Sequence, residues 1–513
     1  MSESTVNNKR IAKNTLVLYV RMLFLMAINL YTSRVILQAL GVEDFGIYNV
    51  IGGFVALFAV LSQSLSSAAS RFLTFEMGKG NKKKLARVFS TTLIIHFLLA
   101  LVIVLLSEII GIWFVNNKMV IAPDRLEAAN WVFQFSVITF CFNLITVPHN
   151  AAIIAHEKMS AFAYISIFEG IGMLIICYFV MISPIDRLIL YGFLILLIKT
   201  SSRFMFYIYC KRHFEECHFH LIYDKTLMKE IFGFASWNMI GSSAVILRNQ
   251  GGNVLINLFD GPVVNAARAI ANQVFHAVNG FVQNFFMALR PQITKSYAKG
   301  DMEYMMSLVY QGSRISYYML LILCMPILTN TEYLLHLWLK NVPDHTVLFV
   351  QLTLVFALIE SVSYTLVTAQ LATGKVRNYQ LIVGGLQMMN LPVSYVILKL
   401  GGVPETILYV AIFFSISCLF ARLIMLKTNI HLNVMDFMVK VIVNIVAVTC
   451  VAATVPCVVS LTINKSTMWS FILITFLSVL SSFISILYVG CTKNERFYVH
   501  SKVTRYICGL IKK

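Results

Sequence analysis

The sequence predicts an all-α integral membrane protein with about 14 transmembrane helices. Hydrophobic residues make up 58% of the 513-residue chain, and charged residues make up only 12%. The mean hydropathy of +0.78 lies far above that of a water-soluble domain. Apolar runs of about 20 residues, the length that crosses a bilayer, recur from end to end with short polar gaps. Nearly the whole chain is therefore expected to lie in a membrane.

The spanning helices are predicted from these apolar runs. Their first residues fall near positions 14, 45, 88, 128, 160, 187, 231, 262, 309, 346, 379, 404, 437 and 467. The seventh and eighth runs are the most polar, and their assignment rests partly on the internal repeat described below. The polar start through Lys13 leads into a run too long for the apolar core of a signal peptide, so the first helix is expected to remain attached.

Basic residues in the loops indicate the orientation of the helices. With the N-terminus inside, about 26 Lys and Arg residues fall in cytoplasmic segments and about 6 fall on the other side. Both termini are therefore expected to be cytoplasmic. The formal charge of +18 is distributed over these loops rather than along one soluble face, so a nucleic-acid partner is not expected.

An internal repeat appears when the start of the chain is compared with its middle, at an offset of about 219 residues. In both copies a glycine turn leads to a helix rich in small residues, and a basic stretch ends in Gly80-Asn81 or in Gly300-Asp301. A substrate is expected between the two lobes that this repeat defines. The predicted parts are an N-terminal lobe of helices 1 to 6 (1–215), a C-terminal lobe of helices 7 to 12 (216–430), and helices 13 and 14 with the tail (431–513).

Four arginines are predicted inside the spans: Arg21 and Arg34 in helix 1, Arg248 in helix 7 and Arg268 in helix 8. A charge at such a depth costs about 2.5 to 3.5 kcal/mol or more, so a lipid-facing position is not expected. Guanidinium groups bind phosphate oxygens bidentately, and the four arginines are therefore predicted to face a water-filled cavity and bind an anionic substrate. The alternative is that some of them reach the membrane interface or neutralise a buried carboxylate.

Amide side chains are unusually dense in helices 7 and 8. Because an amide both donates and accepts hydrogen bonds, it suits the hydroxyl and N-acetyl groups of a sugar. The alternative is helix packing through interhelical amide bonds, worth about 0.6 kcal/mol each. The candidate substrate-binding residues in this group are Asn249, Asn253, Asn257, Asn272, Gln273 and His276.

Two carboxylates are predicted at similar depth in the two lobes, Glu169 in helix 5 and Glu360 in helix 10. A buried acid with a raised pKa can take up a proton, so either residue could couple transport to an ion. The favoured alternative is a structural ion pair with one of the arginines or with Lys199.

No motif predicts an enzyme, a cofactor or a metal site. The sequence has no GxxxxGK[ST] loop and no GxSxG turn, and His156-Glu157 lacks the second histidine of an HExxH site. The Cys and His residues of the loop after helix 6 fit no zinc spacing, and the ten cysteines include no CxxC pair. Hydrolytic catalysis, metal binding and disulfides are therefore not expected.

Three segments carry a resemblance to a known family: LQALGVEDFGIYNVIGGF (37–54), ASRFLTFEMGKGN (69–81) and the stretch through LRPQITKSYAKGD (289–301). They resemble bacterial O-antigen and capsular polysaccharide flippases of the multidrug/oligosaccharidyl-lipid/polysaccharide (MOP) exporter superfamily. The resemblance implies two helical lobes, alternating access, and transport of an undecaprenyl-pyrophosphate-linked oligosaccharide across the inner membrane for lipopolysaccharide or capsule. It also implies membrane lipids, a polysaccharide polymerase and chain-length proteins as partners.

Cavity arginines bind the pyrophosphate in that family, and Arg21, Arg34, Arg248 and Arg268 are the positions that match by helix and depth. Lipid II flippases of the superfamily are similar but have an arginine on helix 2, where this sequence offers only Gln63 and serines before Arg71. The alternatives are a multidrug exporter of the same superfamily, which would require an acidic and aromatic cavity, and a membrane polymerase or ligase, which would require a large periplasmic loop. The arginines disfavour the first alternative, and the short loops disfavour the second.

Overall fold

A computed structural model describes residues 3–56, 58–117, 119, 121–218, 224–339, 341–462, 467–493 and 495–496. Every regular element within these ranges is a helix. Eleven helices in the described ranges are long and apolar enough to cross a membrane. This number is consistent with the roughly 14 spanning helices that the sequence predicts.

The long helices are numbered here in chain order. In the first part of the chain they are α1 (3–40), α2 (42–56 and Ala59–Lys79), α3 (Lys82–Asn117), α4 (Pro123–Ala155), α5 (Met159–Ile182) and α6 (Arg187–His213). They continue with α7 (Lys225–Ile246, Leu247–Gly251 and Gly252–Phe259), α8 (Gly261–Lys299), α9 (Met302–Thr329), α10 (Thr346–Thr373), α11 (Arg377–Lys399), α12 (Thr406–Ile430), α13 (Val434–Ser460) and α14 (Met468–Gly490). A short helix, Thr331–Leu339, follows α9.

Several helices begin earlier than the apolar runs indicate. Helix α3 begins at Lys82 and α9 at Met302, six and seven residues before the predicted starts near 88 and 309, and α7 begins at Lys225 rather than near 231. Hydropathy marks only the part of a helix that lies in hydrocarbon, whereas polar first turns continue the helix into the interface. The predicted starts near 187 and 346 coincide with Arg187 and Thr346.

Two repeated turns explain how α2 and α8 end and how the next helices begin. Gly80 and Gly300 adopt the left-handed conformation, with φ of 72° and 79°, which glycine reaches without steric cost. The residue that follows each glycine caps the next helix, because the Asn81 side chain accepts from the Lys84 N–H at 3.0 Å and Asp301 accepts from the Tyr304 N–H at 3.1 Å. The Gly-Asn and Gly-Asp pairs of the sequence are therefore matching helix-stop and helix-start signals.

Helix positions follow the offset of the sequence repeat. Helix α6 begins at position 187 and α12 at position 406, an offset of 219, while α3 and α9 begin at 82 and 302 and α5 and α11 begin at 159 and 377. An acidic residue precedes both α6 and α12, namely Asp186 and Glu405. Each of these acids binds a basic partner, Arg125 in the first case and His345 at 2.6 Å in the second.

The chain forms two compact units. The first unit contains Met1–Ser243, Met287–Tyr304 and Gly374–Gln380, and the second contains Ala244–Phe286, Met305–Thr373 and Leu381–Lys513. The first unit thus includes ends of α7 and α8 that the predicted partition at residue 215 assigns to the C-terminal lobe. That partition follows the repeat along the chain and stays a prediction.

Large apolar side chains cover much of the helix surfaces. Ile109 of α3 is 71% exposed, and Trp469 at the start of α14 is 82% exposed. Ile424 of α12 and Phe476 of α14 are exposed as well. Such a surface would aggregate in water but is stable against lipid chains, as expected for a protein that crosses a membrane many times.

Arg125 joins the starts of three helices in the first unit. Its guanidinium donates to both oxygens of Asp44 at 2.8 and 2.5 Å, and to Asp186 at 2.5 Å. Asp186 also caps α6 by accepting from the N–H groups of Leu188 and Ile189. Burial raises the pKa of the Asp186 carboxyl, but the hydrogen bonds from Arg125 and from the backbone outweigh this effect and hold the pKa below its ordinary value. The Arg125–Asp186 pair is therefore fully charged at neutral pH. Its contribution to stability is lost only as the pH falls through the lowered pKa of Asp186.

Replacement of Arg125 by Ala should destabilise the protein because it leaves two partly buried carboxylates unpaired. We expect a loss of roughly 2 to 3 kcal/mol, below the range for fully buried pairs because all three side chains keep some exposure. The measurement is thermal unfolding in detergent. The triple variant Arg125→Ala, Asp44→Asn and Asp186→Asn should regain much of the loss, since it removes the unpaired charges while Asn can still cap α6.

Arg187→Ala is the matched control for this prediction. Arg187 is the first residue of α6, next to Asp186. Among the described residues its side chain donates one hydrogen bond, from Nη1 to the Ala39 carbonyl at 3.0 Å. Its replacement should cost clearly less than replacement of Arg125. Equal losses for the two variants, or a triple variant no more stable than Arg125→Ala, would contradict the assigned network.

Candidate functional site

The first unit contains a charged cluster near the middle of α1, α5 and α6. Glu169 of α5 accepts hydrogen bonds from the Lys199 ammonium and from the Ser202 hydroxyl, the latter at 2.9 Å. Arg203 Nη2 lies 3.5 Å from the second oxygen of the same carboxylate. Glu169 is thus ion-paired with Lys199, the arrangement favoured as the alternative to a free proton-binding acid.

Arg21 of α1 contacts the face of α5 that carries Glu169. Its guanidinium donates to the Ser166 hydroxyl at 3.4 Å and stacks over the Phe162 ring at 4.7 Å from the ring centre. Phe162, Ser166 and Glu169 share this face because they stand at i, i+4 and i+7. Arg21, Lys199 and Arg203 together exceed the charge of Glu169 by two, so this group of side chains is electropositive. We call these four residues the first basic cluster.

A second carboxylate, Glu360 of α10, has a similar environment in the second unit. It accepts from the Ser415 hydroxyl at 2.8 Å, and Arg422 Nη2 lies 3.9 Å from its other oxygen. Arg422 is buried, with 2% of its surface exposed. A buried guanidinium is costly without a counter-charge, and the partly buried Glu360 carboxylate provides one.

Arg248 of α7 faces the same side of α10. Its guanidinium lies 4.8 Å from the centre of the Phe356 ring, and Phe356 stands one turn before Glu360. Tyr364, one turn after Glu360, donates its hydroxyl to the Asn279 side chain of α8 at 2.9 Å and lies within electrostatic range of Arg248 and Glu360. Successive turns of α10 therefore carry an aromatic ring that contacts α7, a carboxylate that contacts α12 and a phenol that contacts α8.

Arg268 of α8 is buried next to Arg248. Only 6% of its surface is exposed, and its Nη2 donates to the backbone carbonyl of Asn249 at 3.3 Å. The two guanidinium groups are near enough to repel each other. Arg248, Arg268 and Arg422 again exceed the single carboxylate, Glu360, by two charges. We call these four residues the second basic cluster.

The hydrogen bonds and ion pairs described above do not involve the side chains of the remaining predicted residues, although the Asn249 backbone carbonyl accepts from Arg268. Arg34 is exposed on α1, and among the described residues no hydrogen bond or ion pair joins it to the first basic cluster. Asn253 is partly exposed and donates to the Gln250 side chain at 3.2 Å, and Asn272 is partly exposed as well. The other amides and the histidine have exposed side chains: Asn249, Asn257, Gln273 and His276.

Sequence reasoning missed Arg203 and Arg422, which pair with Glu169 and Glu360. The signal was present, because the two arginines are 219 positions apart and therefore occupy equivalent places in the repeat. Each lies in the C-terminal half of an apolar helix, α6 or α12, where a charge is costly unless it is paired. The same test that selected Arg21 and Arg248 would have selected them.

Glu157 is a further buried carboxylate of the first unit, in the turn between α4 and α5. Its side chain is 1% exposed, and it accepts from Lys295 Nζ at 2.5 Å and from the Gln292 amide at 2.6 Å, both on the last turns of α8. Arg10 of α1 lies 3.5 Å away, and the Asn14 side chain donates to the Glu157 carbonyl at 3.0 Å. Glu157 therefore connects α1 and the end of α8 to this turn. No sequence pattern other than the incomplete HExxH match pointed to this residue.

Comparison with solved structures identifies the fold. The chain superimposes on a mutant of a MATE transporter with a TM-score of 0.71 and 12% sequence identity, over 84% of this chain and all of that one. A multidrug resistance MATE family transporter of the MOP superfamily in an outward-facing conformation gives 0.71 and 12%, over 82% and 96% of the two chains. A MOP superfamily transporter from Pyrococcus furiosus, for which reverse polarity of the binding pocket suggested a different function, gives 0.69 and 13%, also over 82% and 96%. The protein is a multi-pass membrane protein with the helical fold of these transporters.

Comparison of the sequence identifies the family. Residues 11–297, more than half of the chain, match the family described as polysaccharide biosynthesis protein, and the chain belongs to that family. A curated relative, the uncharacterized membrane protein EpsK of Bacillus subtilis (strain 168), is 23% identical over 309 residues, which cover 57% of this chain. The match spans 58% of the length of that relative. The resemblance to proteins of polysaccharide biosynthesis is thus confirmed.

Replacement of Glu157 by Gln should destabilise the protein because it leaves Lys295 without its counter-charge at a site that is mostly buried. We expect a loss of roughly 2 to 3 kcal/mol, measured as thermal unfolding in detergent. A double variant, Glu157→Gln with Lys295→Met, should recover most of this loss, since it replaces the pair by neutral groups of similar size.

Glu215→Ala is the matched control, since Glu215 pairs with Lys82 at 2.9 Å on a fully exposed surface of the same unit. That pair should contribute little, and the variant should unfold like the unmodified protein. A Glu157→Gln variant as stable as Glu215→Ala would show that the buried pair does not stabilise the fold.

Proposed function

We propose that this protein is a flippase that moves an undecaprenyl-pyrophosphate-linked oligosaccharide, such as an O-antigen or capsule repeat unit, from the cytoplasmic to the periplasmic leaflet. The observation that carries the proposal is the charge balance of the two basic clusters. Each combines three basic side chains with one carboxylate. A diphosphate group carries two negative charges and would balance the excess of the cluster that it occupies, whereas a cationic drug would be repelled.

Arg248 and Arg21 are proposed as the groups that bind the diphosphate, each within its own cluster. Each guanidinium stacks on an aromatic ring, Phe356 or Phe162, and such a ring holds the planar group in place while its edge stays able to bind phosphate oxygens. The exposed amides and His276 of α7 and α8 are proposed to bind the sugar hydroxyl groups. The polyprenyl tail remains in lipid, which costs no desolvation of the apolar chain.

Membrane potential provides a driving force for the proposed reaction. Outward movement of two negative charges is favoured by an inside-negative potential, at about 2.3 kcal/mol per charge per 100 mV. Uncompensated transport of a diphosphate therefore gains roughly 4.6 kcal/mol at 100 mV. The ion pairs of Glu169 and Glu360 are in keeping with transport driven by the potential, although proton uptake by either carboxylate stays the alternative prediction.

The proposal places the protein in a bacterial inner membrane with both termini in the cytoplasm, as the distribution of basic residues predicts. It is a transporter rather than an enzyme and requires no cofactor, since translocation breaks no covalent bond. A glycosyltransferase system would supply its substrate on the cytoplasmic side. A polysaccharide polymerase and chain-length proteins are proposed as partners that use the product on the other side.

A multidrug efflux antiporter is the second candidate, and the likeness to a multidrug resistance MATE family transporter favours it. That likeness concerns the fold, which transporters of different substrates share. The two candidates differ in the sign of charge that the binding residues require. Deletion of the gene should leave drug accumulation unchanged if the flippase proposal is right, and increased accumulation of cationic drugs would support the antiporter.

Replacement of Arg248 or Arg21 by Ala should reduce surface polysaccharide at least about tenfold, since the loss of one charge-assisted contact to phosphate costs roughly 1.5 to 3 kcal/mol. The measurement is the quantity of surface polysaccharide in cells that express each variant at equal levels. Lipid-linked precursor should accumulate in the same cells.

Arg212→Ala is the control for this experiment, because Arg212 is an exposed arginine on the last turn of α6, nine residues after Arg203 of the first basic cluster. It should leave polysaccharide levels unchanged. Normal levels in both the Arg248→Ala and the Arg21→Ala cells would defeat the roles assigned to the clusters.

A further inference from the structure

Helix α7 contains a local widening at the point where its polar residues are concentrated. Residues Leu247–Gly251 form a π-turn within an otherwise α-helical rod, and Arg248 stands in this turn. A π-turn displaces backbone groups from the regular hydrogen-bond ladder, and such turns often occur at functional sites. Here the Gly252 N–H is shared between the carbonyls of Arg248 and Asn249, so neither carbonyl receives a full backbone hydrogen bond from that donor.

Arg268 compensates for this defect from the neighbouring helix. Its Nη2 donates to the Asn249 carbonyl at 3.3 Å, which gives this oxygen a second donor. The donor carries a positive charge, and a charged donor forms a stronger bond to a carbonyl than a neutral one. The arginine is almost fully buried, so water does not compete for the bond.

Gly252 makes room for this contact. A Cβ atom at position 252 would lie 2.4 Å from Arg268 Nη2 and 2.7 Å from Cζ, well inside van der Waals contact. The guanidinium therefore packs directly against the glycine backbone, and any larger residue would push it away. Gly252 thus has a packing role at the π-turn.

We propose that Arg268 is a positioning residue: it stabilises the π-turn of α7 through the Asn249 carbonyl and thereby sets the direction in which Arg248 points. The inference deepens the proposed function, because Arg248 is the group assigned to the diphosphate. Arg268 itself is enclosed by α7 and α8, so its main contribution is to the shape of the site. A change at Arg268 acts on the substrate through Arg248.

Hydrogen–deuterium exchange of the purified full-length protein, without substrate, tests this inference. In the Arg268→Ala variant, the amides of residues 247–256 should exchange at least about tenfold faster than in the unmodified protein, because the π-turn loses its external donor. Gly252→Ala should accelerate exchange in the same segment, since its methyl group displaces the guanidinium. Arg268→Lys should retain most of the protection, because an ammonium group can also donate to the carbonyl.

Two controls separate the positioning role from general loss of structure and from substrate binding. Gly385→Ala, at a glycine with open space around its Cβ position, and Arg248→Ala should both exchange like the unmodified protein in this segment. If Arg268→Ala does not fold, Gly252→Ala and Arg268→Lys still provide the comparison. Unchanged exchange at 247–256 in Arg268→Ala and Gly252→Ala would overturn the inference, as would acceleration spread evenly over all helices.

The exchange result does not depend on whether the protein is a flippase. Faster exchange at 247–256 together with normal surface polysaccharide in Arg248→Ala cells would support the role of Arg268 in shaping α7 and contradict the proposed function. Unchanged exchange together with lost polysaccharide in Arg268→Ala cells would contradict the positioning role and leave direct substrate contact by Arg268 as the explanation.

Discussion

A charge near the middle of a membrane-spanning helix requires a partner, and this requirement shapes the functional part of the molecule. The bilayer centre offers no water to solvate a guanidinium or a carboxylate, so each such group must meet an opposite charge, an aromatic face or a backbone carbonyl. All three kinds of partner occur in this chain. Arg422 meets Glu360 between two of the eleven candidate spans, α12 and α10. In α7 and α8, whose membrane-spanning role stays a prediction, Arg248 meets Phe356 and Arg268 meets the Asn249 carbonyl. The excess of positive charge that remains in each cluster is what the proposed anionic substrate would balance.

The two basic clusters have the same balance of three cations and one carboxylate, but most of their residues come from non-equivalent positions of the repeat. Arg203 and Arg422 occupy equivalent positions, but the carboxylates that they approach come from non-equivalent helices, Glu169 from α5 and Glu360 from α10. The remaining cations also differ, since α1 and α6 provide Arg21 and Lys199 whereas α7 and α8 provide Arg248 and Arg268. Charge balance is therefore similar in the two clusters even though most of their residues do not correspond.

Much of the fold was predictable from the sequence because hydropathy reports directly on the lipid-exposed surface. The starts of α6 and α10 were predicted correctly. Helices α3 and α9 begin six and seven residues before their predicted starts, because hydropathy does not detect their polar first turns. Arg21, Arg248 and Glu360 were selected from the sequence because a charge is costly to bury in a helix that crosses a membrane, and their roles stay predictions. The π-turn at 247–251 and the turn around Glu157 were not predictable, because each depends on a contact with a residue distant in sequence, Arg268 in one case and Lys295 in the other.

A competition experiment on the purified protein shows whether the basic clusters bind a diphosphate. The protein is loaded with labelled undecaprenyl pyrophosphate and challenged with unlabelled undecaprenyl pyrophosphate or with undecaprenol, which has the same chain and no phosphate. If the clusters bind the diphosphate, unlabelled undecaprenyl pyrophosphate competes and undecaprenol does not. Binding of the labelled compound also weakens as the salt concentration rises. Equal competition by undecaprenol, with no dependence on salt, would show that the polyprenyl chain alone is recognised and would contradict the account.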